Sequence, residues 1–125
     1  MKILIAEDDD MVREMLADYL SGAGHEVRAA VNGQELVRLA LDGRPDLVIT
    51  DMHMPEMTGD SMIAMLDMYP PLSGVPVIMV TGATPSEIED AGIPKEVPIL
   101  PKPVDFARLD AMIAEVKRKY GPSAD

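Results

Sequence analysis

Short apolar runs alternate with longer amphipathic stretches along most of the chain. Lys2–Ala6 (KILIA), Leu47–Thr50 (LVIT) and Val75–Thr81 (VPVIMVT) are nearly continuous in apolar residues and rich in β-branched ones. That pattern predicts strands covered on both faces, as in a parallel sheet. His25–Ala30 (HEVRAA) alternates more and is expected at an edge. Val97–Leu100 (VPIL) contains Pro98, which lacks a backbone N–H and confines the run to an edge strand.

The intervening stretches follow the helical period. Val12, Met15, Leu16, Tyr19 and Leu20 recur at helical spacing, and the glycines of SGAGH supply a stop. Asn32 is placed to cap a second helix carrying Leu36, Val37, Leu39 and Ala40, which should end near Gly43. A third is expected from Thr58 to Tyr69, with Met62, Ile63, Met65 and Leu66 in phase and Pro70-Pro71 terminating it. Asp105 should cap a last helix presenting Phe106, Leu109, Met112, Ile113 and Val116, whose basic end (KRKY) complements the helix dipole. Between Thr81 and Pro98, three prolines leave room only for a short helix around Ser86–Ala91. Five strands alternating with five helices predict one α/β domain with right-handed crossovers, over residues 1–120, followed by a frayed tail at 121–125. Periodicity leaves the strand order open.

Composition narrows the class. With 47% hydrophobic and 26% charged residues, the 125-residue chain can build one core and reads as a soluble globular protein. No apolar run approaches the roughly 18 residues that span a bilayer, so a cytoplasmic location is the expectation. The net charge of −11 disfavours nucleic acid and anionic membrane surfaces, which call for clustered Lys and Arg. The lack of cysteine rules out disulfides and thiolate metal sites.

Ligands of open α/β sheets bind beyond the carboxyl ends of the strands. Glu7, Asp8, Asp9 and Asp10 follow the first run, Asp51 the third, Thr81-Gly82 close the fourth, and Lys102-Pro103 follow the fifth. Asp9 and Asp10 are best explained as cap and dipole partners of the next helix. Glu7, Asp8 and Asp51 in one pocket would repel, and a hard cation with oxygen ligands, Mg²⁺ above all, relieves that repulsion. Thr81 can donate to a phosphoryl oxygen, Lys102 can place a positive charge beside another, and a carboxylate can serve as the nucleophile. Asp51, followed by Pro55 and Gly59, is the best placed for that part.

The stretches ILIAEDD, DMHMPEMTG, VTG and LPKP, in this order and at these separations, resemble the receiver domain of bacterial two-component response regulators, of the stand-alone chemotaxis type. The resemblance covers nearly the whole chain. It implies a flavodoxin-like (βα)5 doubly wound parallel sheet with strand order 2-1-3-4-5. It further implies Asp51 as phosphoacceptor, Glu7 and Asp8 as the acidic pair for Mg²⁺ (or Mn²⁺), and the backbone carbonyl of His53 as a further metal ligand. Thr81 matches the switch hydroxyl, Lys102 the phosphate-contacting lysine and Gly82 the small residue that keeps the phosphoryl site accessible. The Lys102-Pro103 bond is expected to be cis. The partners implied are a histidine kinase or histidine phosphotransfer protein upstream and a protein target downstream. The chain would be a signalling domain that assists its own phosphorylation and dephosphorylation, rather than an enzyme.

Two features depart from the family pattern. Ile99 stands three residues before the lysine, where many receivers have Tyr or Phe, and the proline-rich segment after Thr81 shortens a helix used for output. A receiver belonging to a hybrid histidine kinase is therefore an alternative reading. A small Mg²⁺-dependent phosphohydrolase with an aspartyl-phosphate intermediate is another, and a phosphorylation-independent interaction module a third. Met52, Met54, Met57, Met62, Met65 and Met68 cluster around the site and the third predicted helix, chiefly as expected core filling.

Overall fold

The structure, a computed structural model, describes residues 1–54, 57, 58, 61, 64, 67, 68 and 73–120, with only the backbone at 53, 54, 57 and 58. Its elements in chain order are β1 (Lys2–Ala6), α1 (Asp10–Gly22), β2 (Glu26–Ala30), α2 (Gly33–Asp42), β3 (Leu47–Thr50), β4 (His53–Met54), β5 (Met57–Thr58), β6 (Val77–Thr81), α3 (Pro85–Asp90), β7 (Ile99–Pro101) and α4 (Phe106–Tyr120). Five strands form one parallel sheet in the order β2-β1-β3-β6-β7, and β4 and β5 pair as a separate antiparallel ribbon. Counting the strands of the main sheet alone, this is the order 2-1-3-4-5, with both alternating or proline-bearing runs at the edges as expected.

Alternation along the strands divides the core. Ile3, Ile5, Leu47, Ile49, Ile78, Val80 and Leu100 pack with Leu16 and Leu20 of α1 and with Leu109, Ile113 and Val116 of α4. Leu4, Ala6, Ala30 and Val48 turn the other way, onto Leu36, Val37, Leu39 and Ala40 of α2. Each buried Leu or Ile contributes roughly 1.5–3 kcal/mol of transfer free energy, so the two faces hold the strands in one register. A smaller cluster of Met52, Met79 and Ile93, with Ala83, Ile88 and Ile99 against it, covers the region beside α3.

The helix ends follow the sequence closely. Asp9 caps α1 by accepting from the backbone N–H groups of Met11 and Val12. Asn32 caps α2 through Glu35 N, and Asp105 accepts from Arg108 N at the start of α4. Thr84 and Glu87 form a reciprocal capping box on α3, which starts at Pro85. That Thr-x-x-Glu signal explains how a helix of six residues persists among prolines.

Some boundaries differ from the sequence expectation. β6 starts at Val77 rather than Val75, beyond Pro76, and β7 starts at Ile99, beyond Pro98. In both cases the strand assignment starts just after a residue that cannot donate to the ladder. Met15 is 43% exposed and so lies off the buried face of α1. Thr58 belongs to the β4–β5 ribbon instead of opening a helix. Ser61, Ala64, Asp67 and Met68 have helical backbone, while the rest of the helix expected at 58–69 lies outside the described residues, as does the tail at 121–125. Of the methionines, Met52 is buried as expected and Met68 is 77% exposed.

Ile49, fully buried at the centre of the sheet, offers a test of this layering. Ile49→Ala should cost about 2–5 kcal/mol in urea denaturation. Met11→Ala, at a position 73% exposed, should change stability by less than about 0.5 kcal/mol. Similar losses at the two positions would contradict the assigned layers.

Candidate functional site

Three of the polar residues expected at the rim are the first residues past a strand, and each is tied to the neighbouring strand. Glu7 N donates to Ala30 O at 3.1 Å, Asp51 N to Ala6 O at 3.0 Å, and Lys102 N to Thr81 O at 2.9 Å. Thr81 is itself the last residue of β6. The ladder hydrogen bonds thus continue one step beyond the strands and hold the backbone of the site in the register of the sheet.

The side chains converge. Lys102 Nζ lies 2.7 Å from Glu7 Oε1 and 3.0 Å from Asp51 Oδ2. Glu7 is 1% exposed, Asp51 8% and Thr81 1%, whereas Asp8 is exposed at the mouth. Carboxylate oxygens of Glu7, Asp8 and Asp51 lie within 4.8 Å of one another. Glu7 Oε2 accepts from Asp9 N at 3.2 Å. Glu7 Oε1 is buried, and among the described residues its close polar neighbour is the Lys102 ammonium.

Thr81 Oγ1 accepts from Ala83 N at 3.1 Å, shaping the turn that leads to α3. Gly82 is exposed, and a Cβ added there would meet nothing within 4 Å. Packing among the described residues therefore does not demand glycine at this position. His53 opens β4 two residues past Asp51, with Thr58 as its register partner. The Lys102-Pro103 bond is cis, as expected.

The electrostatics follow from burial. Desolvation pushes the Glu7 carboxyl up from 4.5 to about 7, with Lys102 opposing the rise and the Asp51 charge adding to it. For Lys102, burial pulls the pKa down, but the hydrogen bonds and charges of Glu7 and Asp51 outweigh it, leaving the ammonium above its usual value. Among the described residues, one ammonium faces a cluster of three carboxylates. An all-oxygen donor set drawn from three carboxylates fits a hard divalent cation such as Mg²⁺.

Arg13 is the residue near the site that the strand-end pattern does not reveal. It lies one turn into α1, and its Nη1 donates to Glu7 O at 2.9 Å while Nη2 pairs with Asp10. An arginine three residues after an acid on a helix is the local signal for the pair with Asp10. The bond to the carbonyl of Glu7 depends on how the chain turns from β1 into α1.

The raised pKa of Glu7 has a measurable consequence in chelator. The folded protein keeps a proton on Glu7 that the unfolded chain releases between about 4.5 and 7. Glu7 therefore lowers stability as pH rises through that window, and its penalty is absent below it. Glu7→Gln should raise stability at pH 8 by roughly 1–3 kcal/mol over wild type, with a much smaller gain at pH 4.5. An equal difference at both pH values in urea denaturation would contradict the burial of an ionisable Glu7.

Comparison with known proteins now adds to the geometry. Residues 3–114 match the response regulator receiver domain family. The chemotaxis protein CheY4 of Vibrio cholerae is similar at 30% identity and a TM-score of 0.83, over 92% of this chain and 97% of that one. The signal receiver domain of a signal transduction histidine kinase from Syntrophus aciditrophicus is similar at 30% identity and a TM-score of 0.81, over 91% and 87%. The DNA-binding transcriptional regulator NtrC of Azospirillum brasilense is 32% identical over 98% of this chain, which spans 25% of that relative's length. Across the curated relatives compared, the chain spans about half the length or less. The chain belongs to the response regulator receiver domain family: it is a signalling domain of two-component systems with the doubly wound fold of CheY, and accepting a phosphoryl group is the function of its family.

Proposed function

We propose that Asp51 is the phosphoacceptor of this receiver. One of its carboxylate oxygens attacks the phosphorus of a phosphohistidine on a histidine kinase or histidine phosphotransfer protein. The Asp51 O–P bond forms as the histidine N–P bond breaks, and the imidazole departs with the electron pair of that bond. The observation that carries this reading is the convergence at Asp51 of Lys102, 3.0 Å away, with Glu7 and Asp8, whose oxygens lie within 4.8 Å.

Phosphoryl transfer asks a protein mainly for position and charge. Glu7, Asp8 and Asp51, with the backbone carbonyl of His53, would hold Mg²⁺ or Mn²⁺. When bound, the cation neutralises phosphoryl charge beside the acids. Lys102 is already directed at Asp51 and is available to a phosphoryl oxygen once the carboxylate is esterified. The Thr81 hydroxyl accepts from Ala83 N, and a hydroxyl that accepts in this way can still donate its own proton to a phosphoryl oxygen. Attack of water on the same phosphorus breaks the Asp51 O–P bond, returning the carboxylate and releasing inorganic phosphate, so the residues that assist phosphorylation also assist dephosphorylation.

Readout passes from Thr81 through Ala83 to the short helix α3. Ala83, Ile88 and Ile99 pack against Met52, Met79 and Ile93, so an aliphatic cluster stands where an aromatic residue couples to the threonine in many receivers. The charge gained at Asp51 biases a two-state equilibrium in this segment, and a downstream protein reads it. The acidic surface argues for protein partners over nucleic acid. Among the described residues no helix is long and apolar enough to cross a membrane, and the proposed location is cytoplasmic, with the receiver running to residue 120. The likeness to the receiver of a histidine kinase supports a second setting, inside a hybrid kinase. There the chemistry at Asp51 is unchanged and a phosphotransfer protein takes the phosphoryl group onward.

Incubation with Mg²⁺ and acetyl phosphate should add one phosphoryl group to the wild type by intact-mass spectrometry. The adduct should be labile, and it should be absent from Asp51→Asn. An adduct of equal yield on Asp51→Asn would move the acceptor elsewhere. Sustained turnover of small phosphomonoesters would favour the phosphohydrolase reading instead.

A further inference from the structure

The turn between β1 and α1 concentrates four consecutive acids, Glu7 to Asp10, within one short connection. Their mutual repulsion favours an extended, splayed loop, yet the oxygens of Glu7 and Asp8 are brought together with that of Asp51. Something must hold the turn against this repulsion. Arg13 makes three connections to it. Its backbone N donates to Asp9 O at 2.9 Å, its Nη1 to Glu7 O at 2.9 Å, and its Nη2 pairs with the Asp10 carboxylate. The side chain is 16% exposed and its bond to Glu7 O is partly shielded from water, whereas Asp10 is 82% exposed and its pair with Arg13 is open to solvent.

The choice of partners matters. Among the described residues, the ion-pair partner of Arg13 is Asp10, an exposed acid outside the cluster formed by Glu7, Asp8 and Asp51. From Glu7 the guanidinium takes the backbone carbonyl rather than the carboxylate. The arginine thus grips both ends of the acidic turn without occupying the oxygens that face the pocket. Lys102 does the opposite, standing against the side chains of Glu7 and Asp51. One cation shapes the turn, and the other shares the acids.

We propose that Arg13 is a positioning residue that holds the Glu7–Asp10 turn in the shape that binds a divalent cation. This rests on the reading of Glu7, Asp8 and Asp51 as a cation site. Charge and positioning predict opposite results. A positive charge near a cation site repels the incoming ion, so deleting it should tighten binding if charge alone matters. If positioning dominates, deleting it should weaken binding, as losses of residues that orient metal ligands do.

Mn²⁺ binding to the full chain, followed by isothermal titration calorimetry and by the loss of free-ion electron paramagnetic resonance signal, decides between them. Arg13→Ala should weaken Mn²⁺ binding by about 10-fold, measured well below the unfolding temperature of the variant. Arg13→Lys, which keeps the charge but cannot span the Glu7 carbonyl and Asp10 with separate nitrogens, should recover only part of the loss. Asp10→Ala, which leaves the bond to Glu7 O available, should lose less than Arg13→Ala. Unchanged or tighter binding in Arg13→Ala, or full recovery in Arg13→Lys, would overturn the proposal while leaving the cation site standing. If Arg13→Ala fails to fold, the comparison of Arg13→Lys with wild type decides by the same criterion. A wild type that binds no Mn²⁺, or binds it equally well as Asp8→Asn, would instead overturn the cation site itself, and the positioning role with it.

Discussion

The ammonium of Lys102 stands between Glu7 and Asp51, and the arrangement of the rim depends on that contact. Two nearly buried carboxylates at close range are a costly pair. Among the described residues, Glu7 accepts one backbone N–H through Oε2, and its other oxygen has the Lys102 ammonium 2.7 Å away. Lys102 supplies the nearest compensating charge, and it does so as a compact group on a flexible stem. A bidentate guanidinium there would bind the acids more permanently. A lysine can be shared, which would suit the proposed binding of a cation and a phosphoryl group at the same oxygens.

That contact exists only because the sheet delivers its parts at one level. Glu7, Asp51 and Lys102 each follow a strand and bond through their backbone N to the strand alongside. The apolar layers on the two faces resist any slip, since moving a parallel strand by one residue would exchange the side chains fitted against the α1 and α4 face with those fitted against α2. Even β7, three residues long and at an edge, has this task. It carries Lys102 to Thr81 and, through the lysine, to both acids. The length of the strand matters less than where it ends.

The two sides of the pocket differ in character. On the acid side, caps, the arginine and the strand ladders specify the backbone almost residue by residue. On the other side, Thr81 leads through an open Gly82 to a six-residue helix with no buried residues of its own. There the packing is carried by Met52, Met79, Ile93 and Ile99, a small aliphatic cluster rich in adaptable side chains. A group that binds ligand benefits from the first environment, and a segment that reports its arrival benefits from the second.

Much of this was legible in the chain by itself. Strands and helices followed from two periods of apolar residues, and the caps at Asp9, Asn32 and Asp105 from side chains able to accept early helical N–H groups. Glu7, Asp8, Asp51, Thr81 and Lys102 stood out because polar residues end or directly follow otherwise apolar runs. Pro98 placed its strand at an edge, although the start of that strand shifted past it because a ladder needs an N–H. The Thr84–Glu87 box was not anticipated, although its spacing of three is local, because the three prolines dominated the reading of that segment. What only the tertiary structure decided is pairwise and distant: the order of the strands, the ammonium of Lys102 against Glu7, and the grip of Arg13 on the Glu7 carbonyl. Local sequence sets which groups a segment offers and where its elements start and stop. Which of those groups meet depends on how the layers stack, a property of the whole core that no single window of residues contains.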